Sequence, residues 1–212
     1  MRVKICGIQS QEDMSTALQA GADALGFLVG ITHVAEDKIG LEEAKYLIEQ
    51  LPPFVSSVAV THLQQTDEIV DIVRTIRCTT VQVHNDVEVS VLQQIRAKLP
   101  HVKIIKAVHV TGQEALDYAR EMASYVDALL LDSRTSDRLG GTGLTHDWNI
   151  SRQIVEQGPV PVILAGGLTP SNVGDAVQSV RPFGVDVNSG VEIAGKKDPH
   201  KCREFVQISK SI

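Results

Sequence analysis

Short apolar segments alternate regularly with longer amphipathic segments along this chain. The apolar runs have the length and β-branched content of strands buried on both faces, whereas the amphipathic runs follow the helical period. The pattern predicts eight strands, at Arg2–Cys6, Ala24–Val29, Val55–Val60, Thr80–His84, Val102–Val110, Val126–Asp132, Val160–Ala165 and Gly184–Asn188. It predicts eight helices, at Ser10–Ala20, Leu41–Leu51, Thr66–Ile76, Val87–Leu99, Gln113–Ala123, Asn149–Gln157, Ser171–Val180 and Pro199–Ser209.

This repeated unit favours a closed α/β barrel. Eight βα units with nearly continuous apolar strands are typical of a (β/α)8 TIM barrel, whereas a doubly wound sheet usually has fewer strands and a longer nucleotide-binding fingerprint. The 212 residues suit one such barrel, so we expect a single (β/α)8 domain over residues 1–212. The longest gaps follow the second and sixth strands, where long loops usually belong to the active site of a barrel.

Charge and cysteine content exclude several classes of partner. Twenty Lys and Arg against 26 Asp and Glu give a formal charge of −6, which argues against nucleic acid or an anionic membrane as a partner. Cys6, Cys78 and Cys202 lack metal-ligand spacing, so we expect reduced thiols and no metal site. No apolar stretch approaches the roughly 18–20 residues that span a bilayer, and we expect a soluble, cytoplasmic protein.

Polar residues recur at the carboxyl ends of the predicted strands. Side chains alternate along a strand, so Lys4 and Cys6 share one face, as do Gln82 and His84. Because helices cover the outside of a barrel, these polar members should point into its lumen. We predict that a ring forms at one mouth from Cys6, His84, Asp132 and Asp186.

Each member of this ring also has a structural interpretation. Cys6 is by residue type a small buried hydrophobe, and His84 is compatible with a structural histidine. Asp132 follows four apolar residues, where a carboxylate is costly unless it is paired or has a function, although it could brace a loop. Convergence at one mouth favours the functional interpretation.

Glycine-rich segments follow the last three strands. They are Gly140–Gly143, Ala165–Gly167 and Asn188–Gly190. Backbone N–H groups approach an anion closely only where no Cβ intervenes, and the loops after strands 7 and 8 are the usual phosphate site of a barrel. The chain therefore has the features of a barrel enzyme for a phosphorylated small molecule.

Several segments resemble one family in order from end to end. They are Val3–Ile8, Gly21–Phe27, Val81–His84, Leu130–Asp132, Gly140–Gly143 with His146–Trp148, Leu164–Leu168 and Gly184–Glu192. This chain resembles the phosphoribosylanthranilate isomerases of tryptophan biosynthesis.

The resemblance implies an Amadori rearrangement that needs no cofactor and no metal. N-(5-phosphoribosyl)anthranilate would become 1-(2-carboxyphenylamino)-1-deoxyribulose 5-phosphate, with Cys6 as general base and Asp132 as general acid. The base would need a thiol pKa below its usual value of about 8.5, and the acid would need a carboxyl that is partly protonated near neutral pH.

The partner would be this small phosphorylated sugar, bound by a monomer or homodimer. Carried over by position, the substrate-binding residues are Lys4, Lys38, Gln82, His84 and Asp186, and the phosphate-binding residues are Gly143, Gly166, Gly167, Ser189 and Gly190.

The chain departs from the family in the loop after the second strand. The family typically has an arginine there that binds the anthranilate carboxylate, but this chain has no arginine between Gly26 and Leu51. Lys38 or His33 could substitute for it, although a lysine offers a point charge and no bidentate fork. The nearby acidic residues Glu36 and Asp37 would repel a carboxylate.

A second departure follows the third strand, where Thr61-His62 replaces an apolar pair of the family. His33 and His62 could form a polar pocket or be exposed loop residues. Two alternative functions therefore stay open. One is a paralogous isomerase for a different phosphorylated sugar or aminosugar, and the other is a non-catalytic phosphosugar-binding barrel.

Overall fold

The protein folds into a closed parallel barrel, described here from a computed structural model that covers residues 1–32, 36–135, 138–139 and 146–212. The barrel strands are β1 (Arg2–Ile5), β2 (Ala24–Leu28), β3 (Ser56–Thr61), β4 (Thr80–Val83), β5 (Lys103–His109), β6 (Ala128–Asp132), β9 (Val162–Leu164) and β10 (Gly184–Val187). They are hydrogen-bonded in the order β1-β10-β9-β6-β5-β4-β3-β2, and β2 pairs with β1 to close the barrel.

Among the residues described, four very short strands lie outside the barrel. β7 (Arg134–Thr135) pairs antiparallel with β8 (Arg138–Leu139) after β6. β11 (Glu192–Ile193) pairs antiparallel with β12 (Lys196–Lys197) after β10, where a 3-10 turn spans Ser189–Val191. Both ribbons lie in loops at the carboxyl end of the barrel.

Helices follow the barrel strands and begin at recognisable capping residues. The Ser10 hydroxyl accepts the N–H of Asp13 at the start of the first helix, and Asp198 accepts the N–H of Lys201 at the start of the last. The first helix ends at Gly21, whose φ of 89° is left-handed. The helices are α1 (Gln11–Ala20), α2 (Leu41–Ile48), α3 (Thr66–Ile76), α4 (Val89–Lys98), α5 (Glu114–Ala123), α6 (Trp148–Gln157), α7 (Val173–Val180) and α8 (Pro199–Ser211).

The buried apolar residues form two clusters that follow the alternation of the strands. Val3 and Ile5 belong to the larger cluster, which packs the barrel against the helices. Cys6 belongs to the smaller cluster, which contains the alternate positions Val58, Ala107 and Leu130 and fills the lumen. The predicted lumen orientation of the thiol is therefore confirmed.

The architecture confirms the predicted (β/α)8 barrel. Every predicted strand and helix is present, and their ends differ from the prediction by at most three residues. The two antiparallel ribbons were not predicted, because two-residue strands carry no periodic signal. Among the residues described, no helix has the length and hydrophobicity needed to cross a membrane.

Candidate active site

The predicted polar ring assembles at the carboxyl end of the barrel strands. Lys4 and Asp186 lie within β1 and β10, Asp132 ends β6, and Cys6 and His84 follow directly after β1 and β4. All five residues are buried. This is the end of an α/β barrel at which catalytic residues gather.

Lys4 forms a buried ion pair with Asp186. The two residues are register partners on neighbouring strands, and Lys4 Nζ donates to Asp186 Oδ2 over 2.8 Å. Burial alone would lower the Lys4 pKa, but attraction to Asp186 and Cys6 raises it above its ordinary value. Lys4 therefore stays a cation, and most of its charge is compensated by Asp186.

Cys6 has a protonated thiol in this arrangement. Burial raises the pKa of the thiol to about 11, and Asp186 adds to this effect, while Lys4 opposes it. The low thiol pKa that a general base would need is therefore not found in the free protein, because burial outweighs the opposing effect of Lys4. Gly26 leaves room for the sulfur, since a Cβ there would lie 2.6 Å from Cys6 Sγ.

Asp132 has the properties of an acid that is poised near neutrality. Burial, helped by the charge of Asp186, raises its pKa to about 7 against the opposing effects of the Ser133 N–H and Lys4. Its Oδ1 accepts the Ser133 N–H over 2.8 Å, and its Oδ2 lies 3.5 Å from His84 Nε2. The predicted partial protonation of this carboxyl near neutral pH agrees with these contacts.

Three histidines surround the Asp132 side of the mouth. His84 stacks on His62 with ring centroids 4.9 Å apart and meets His109 edge-on at 5.1 Å. Burial lowers the His84 pKa well below 6.5, and the neighbouring His109 and His62 lower it further, so this imidazole is neutral. Gln82 Nε2 lies 3.3 Å from His84 Nδ1.

Two of these histidines change the sequence-based interpretation. His62 is buried against His84, which rules out the exposed-loop alternative for it, while His33 lies outside the described residues. His109 was missed by the sequence analysis. Its signal was available, because Ile105, Ala107 and His109 alternate along β5 and the first two residues line the lumen.

The glycine-rich loops after β9 and β10 pack closely against each other. Gly166 and Gly167 have positive φ angles of 83° and 65°, a conformation that favours glycine. A Cβ on Gly166 would lie 2.6 Å from the Ser133 nitrogen, and one on Gly190 would lie 1.9 Å from the Leu168 carbonyl oxygen. Gly190 is therefore required for loop packing, because a side chain at this position would collide with protein backbone. The predicted contact residue Gly143 lies outside the described residues.

The loop after β2 is tied to the segment after β10, two strands away around the barrel. Asp37 Oδ2 accepts the Asn188 side-chain amide over 2.6 Å, and Asn188 Oδ1 accepts Lys197 Nζ over 2.8 Å. Lys197 is buried and also pairs with Glu192. Lys38 is exposed beside Asp37, and its backbone bridges to β2. An acidic side chain thus faces the mouth from the loop that carries arginine in the family.

Comparison with known proteins places this chain in a family. The family model described as N-(5'phosphoribosyl)anthranilate (PRA) isomerase matches residues 3–208. The chain belongs to this family.

Relatives and solved structures of this family match the chain from end to end. The N-(5'-phosphoribosyl)anthranilate isomerase 2 of Methanosarcina mazei is 43% identical over 214 residues, which cover 100% of this chain and 95% of the relative. The Thermotoga maritima phosphoribosyl anthranilate isomerase has a TM-score of 0.89 at 33% identity, with both chains fully covered. A phosphoribosyl anthranilate isomerase in complex with reduced 1-(o-carboxyphenylamino)-1-deoxyribulose 5-phosphate has a TM-score of 0.85 at 31% identity, again with both chains fully covered.

Asp186 links the protonation of the two candidate catalytic groups, which gives a test by pH. The charge of Asp186 raises the pKa of both Cys6 and Asp132. In Asp186→Asn this charge is removed and Lys4 loses its partner, so both groups should ionise at lower pH. We expect both limbs of the pH profile of kcat/KM to move to lower pH.

The measurement is kcat/KM against pH, together with the pH dependence of Cys6 alkylation by iodoacetamide. Asp117→Asn removes the same charge from an exposed position on α5 and serves as the control. Limbs that stay in place or move to higher pH would show that Asp186 does not set these pKa values.

Proposed function

We propose that this protein catalyses the Amadori rearrangement of N-(5-phosphoribosyl)anthranilate as a single cytoplasmic barrel domain over residues 1–212. Family membership supports the reaction, and one observation of the site carries the proposal. A buried carboxyl with a pKa of about 7 lies in the same ring as a buried thiol, and the charge of Asp186 raises the pKa of both groups. Acid–base isomerisation needs one group of each kind.

Asp132 acts first in the proposed reaction. Its carboxyl proton passes to the furanose ring oxygen, the bond between that oxygen and C1 breaks, and the amine nitrogen supplies the electrons that form an iminium ion. A carboxyl that is half protonated at pH 7 is matched to this task. The 3.5 Å approach of His84 Nε2 to Asp132 Oδ2 orients the carboxyl.

Cys6 completes the isomerisation. Its thiolate takes the proton from C2 of the open chain, the C2–H electrons form a C1–C2 double bond, and the electrons of the iminium bond return to nitrogen. The enolamine then takes a proton at C1 while its C2 hydroxyl loses one, so that the C2–O bond becomes the carbonyl of the ketose. Lys4 lies within hydrogen-bonding reach of the sulfur and stabilises its charged form.

The loops after β9 and β10 are the proposed phosphate site. The backbone N–H groups of Gly166, Gly167, Ser189 and Gly190 would face the anion, as the left-handed turn and the short 3-10 segment suggest. Gly143 would complete the site from the preceding loop. Lys4, Gln82, His84 and Asp186 would contact the sugar and amine.

Lys38 is the proposed partner of the anthranilate carboxylate. It is exposed in the loop after β2, next to the acidic Asp37. Loss of a charged hydrogen bond costs about 1.5–3 kcal/mol, or about one to two decades in affinity at 1.4 kcal/mol per decade. Lys38→Ala should therefore raise KM by about 10–100-fold, while Lys38→Arg should keep KM or lower it.

The test follows the loss of phosphoribosylanthranilate fluorescence. Lys103→Ala removes an exposed lysine from the amino end of β5, at the opposite face of the barrel, and is the matched control. The proposal is supported if the wild-type protein turns over phosphoribosylanthranilate and Lys38→Ala raises the KM. An unchanged KM in Lys38→Ala would exclude the assigned role of Lys38.

The placement of Asp37 favours a second candidate function. Its carboxylate is held at the mouth by Asn188 and would repel anthranilate, which suits a phosphorylated aminosugar without a carboxylate. A protein that binds inorganic phosphate, does not convert phosphoribosylanthranilate and does isomerise other phosphorylated aminosugars would establish this paralogous activity. Phosphate binding without turnover of any of them would indicate a binding protein.

A further inference from the structure

Two histidines and a carboxylate converge at the ends of three neighbouring strands. His84, His109 and Asp132 follow or end β4, β5 and β6, and one potential ligand atom from each lies within 4.8 Å of the others. His109 and Asp132 are register partners, and His84 Nε2 lies 3.5 Å from Asp132 Oδ2. Because these residues stand at the ends of paired strands, their spacing is set by the barrel itself.

This donor set has a clear chemical preference. Two imidazoles and one carboxylate suit Zn²⁺ and neighbouring transition-metal ions better than Mg²⁺ or Ca²⁺, which prefer oxygen ligands. Three protein ligands with open positions are also typical of reactive metal sites. We propose that His84, His109 and Asp132 bind a divalent transition-metal ion, and that the bound ion inhibits the isomerase reaction.

The histidines are prepared for coordination. The His84 ring is positioned by stacking on His62 and by the edge-on contact with His109. His109 Nε2 lies 3.1 Å from the His84 carbonyl oxygen. A hydrogen bond of this kind fixes the orientation of ligating imidazoles and leaves the lone pair on the other ring nitrogen.

Gln82 provides an independent observation. Its side chain is buried, and among the described residues its Oε1 has no hydrogen-bond partner, while its Nε2 faces His84 Nδ1. Half a turn of this amide would let Oε1 accept a proton from Nδ1. The lone pair of His84 would then lie on Nε2, directed towards Asp132, as metal coordination requires.

Inhibition follows from the use of Asp132 as a ligand. A carboxylate that coordinates the ion cannot also hold the proton that the proposed reaction transfers to the ring oxygen. The ion would also occupy part of the mouth. The inhibitory effect rests on the proposed function, but binding of the ion does not.

The binding test uses Zn²⁺ in competition with a chromophoric chelator, and Co²⁺ for its absorption spectrum. His109→Gln keeps an N–H donor for the His84 carbonyl but removes the imidazole. It should weaken Zn²⁺ binding by more than about 100-fold, because loss of an outer-shell partner alone costs about 10–100-fold. His84→Gln should have a similar effect, and His101→Gln, at an exposed surface histidine, should have none.

Circular dichroism confirms that each variant is folded. Zn²⁺ affinity that is unchanged in both His84→Gln and His109→Gln would overturn the site. A sulfur-to-cobalt charge-transfer band would also overturn it, because that band would place the ion on Cys6.

The activity test separates the two proposals. Zn²⁺ should inhibit the wild-type protein reversibly, a chelator should restore turnover, and His109→Gln should turn over substrate but resist Zn²⁺. Equal inhibition of the wild type and His109→Gln would overturn the inhibitory role. A protein without isomerase activity that still loses Zn²⁺ binding in His109→Gln would retain the metal site and refute only the proposed reaction.

Discussion

Asp132→Asn should lower kcat by roughly 10²–10⁴-fold, the usual contribution of a positioned acid. Asparagine has nearly the same shape and can still accept the Ser133 N–H that now binds Asp132 Oδ1. It cannot, however, transfer a proton to the ring oxygen. The loss should therefore appear in kcat, while affinity for a phosphate-containing product analogue changes little.

Two measurements make this result specific. The first is kcat of the wild type and Asp132→Asn, with Asp127→Asn as the control. Asp127 precedes the amino end of β6, where its carboxylate pairs with Arg96 and Lys103 and accepts the Ile104 N–H. The second is a substrate deuterated at C2. Slow ring opening in Asp132→Asn should leave little isotope effect on kcat. Turnover close to that of the wild type would remove Asp132 from the reaction.

Cys6→Ser should also lower kcat by roughly 10²–10⁴-fold, for a different reason. A serine hydroxyl fits the space beside Gly26 but ionises far less readily than a thiol. Removal of the C2 proton then becomes rate-limiting, so the C2-deuterated substrate should show a large isotope effect.

Cys78→Ser is the matched control for Cys6→Ser. Cys78 is buried at the start of β4, away from the mouth, and its substitution should affect stability more than kcat. An isotope effect in Asp132→Asn and none in Cys6→Ser would reverse the proposed roles of the two residues.

The strand pattern predicted most of the site because the period of two is a local property. It placed Lys4, Cys6, Gln82 and His84 on the lumen face without any knowledge of their neighbours. The same pattern contains His109, which was overlooked because the predicted strand continues to the apolar Val110. Local periodicity was therefore sufficient for the barrel and for the direction of these side chains.

The electrostatics of the site could not be predicted in this way. The Cys6 pKa depends first on how deeply the thiol is buried, and then on Lys4 and on Asp186, which lies 182 residues from Lys4 in sequence and pairs with it. The contact between Asp37 and Asn188 spans 151 residues and joins two loops of irregular structure. Pairings of this kind depend on tertiary packing, for which the sequence carries no periodic signal.

The order of the two pKa values determines where the mobile proton resides in the free protein. With a carboxyl of about 7 and a thiol of about 11, the stable tautomer between these values has a carboxylate and a thiol. The reactive tautomer, a carboxylic acid with a thiolate, carries the same net charge and is the minor species. Because the two tautomers differ only in the location of one proton, their ratio does not change with pH over this range. Any contact that separates Lys4 from Asp186 should favour the reactive tautomer, because Lys4 could then stabilise the Cys6 thiolate. A substrate hydroxyl that binds the Asp186 carboxylate in place of Lys4 would have this effect.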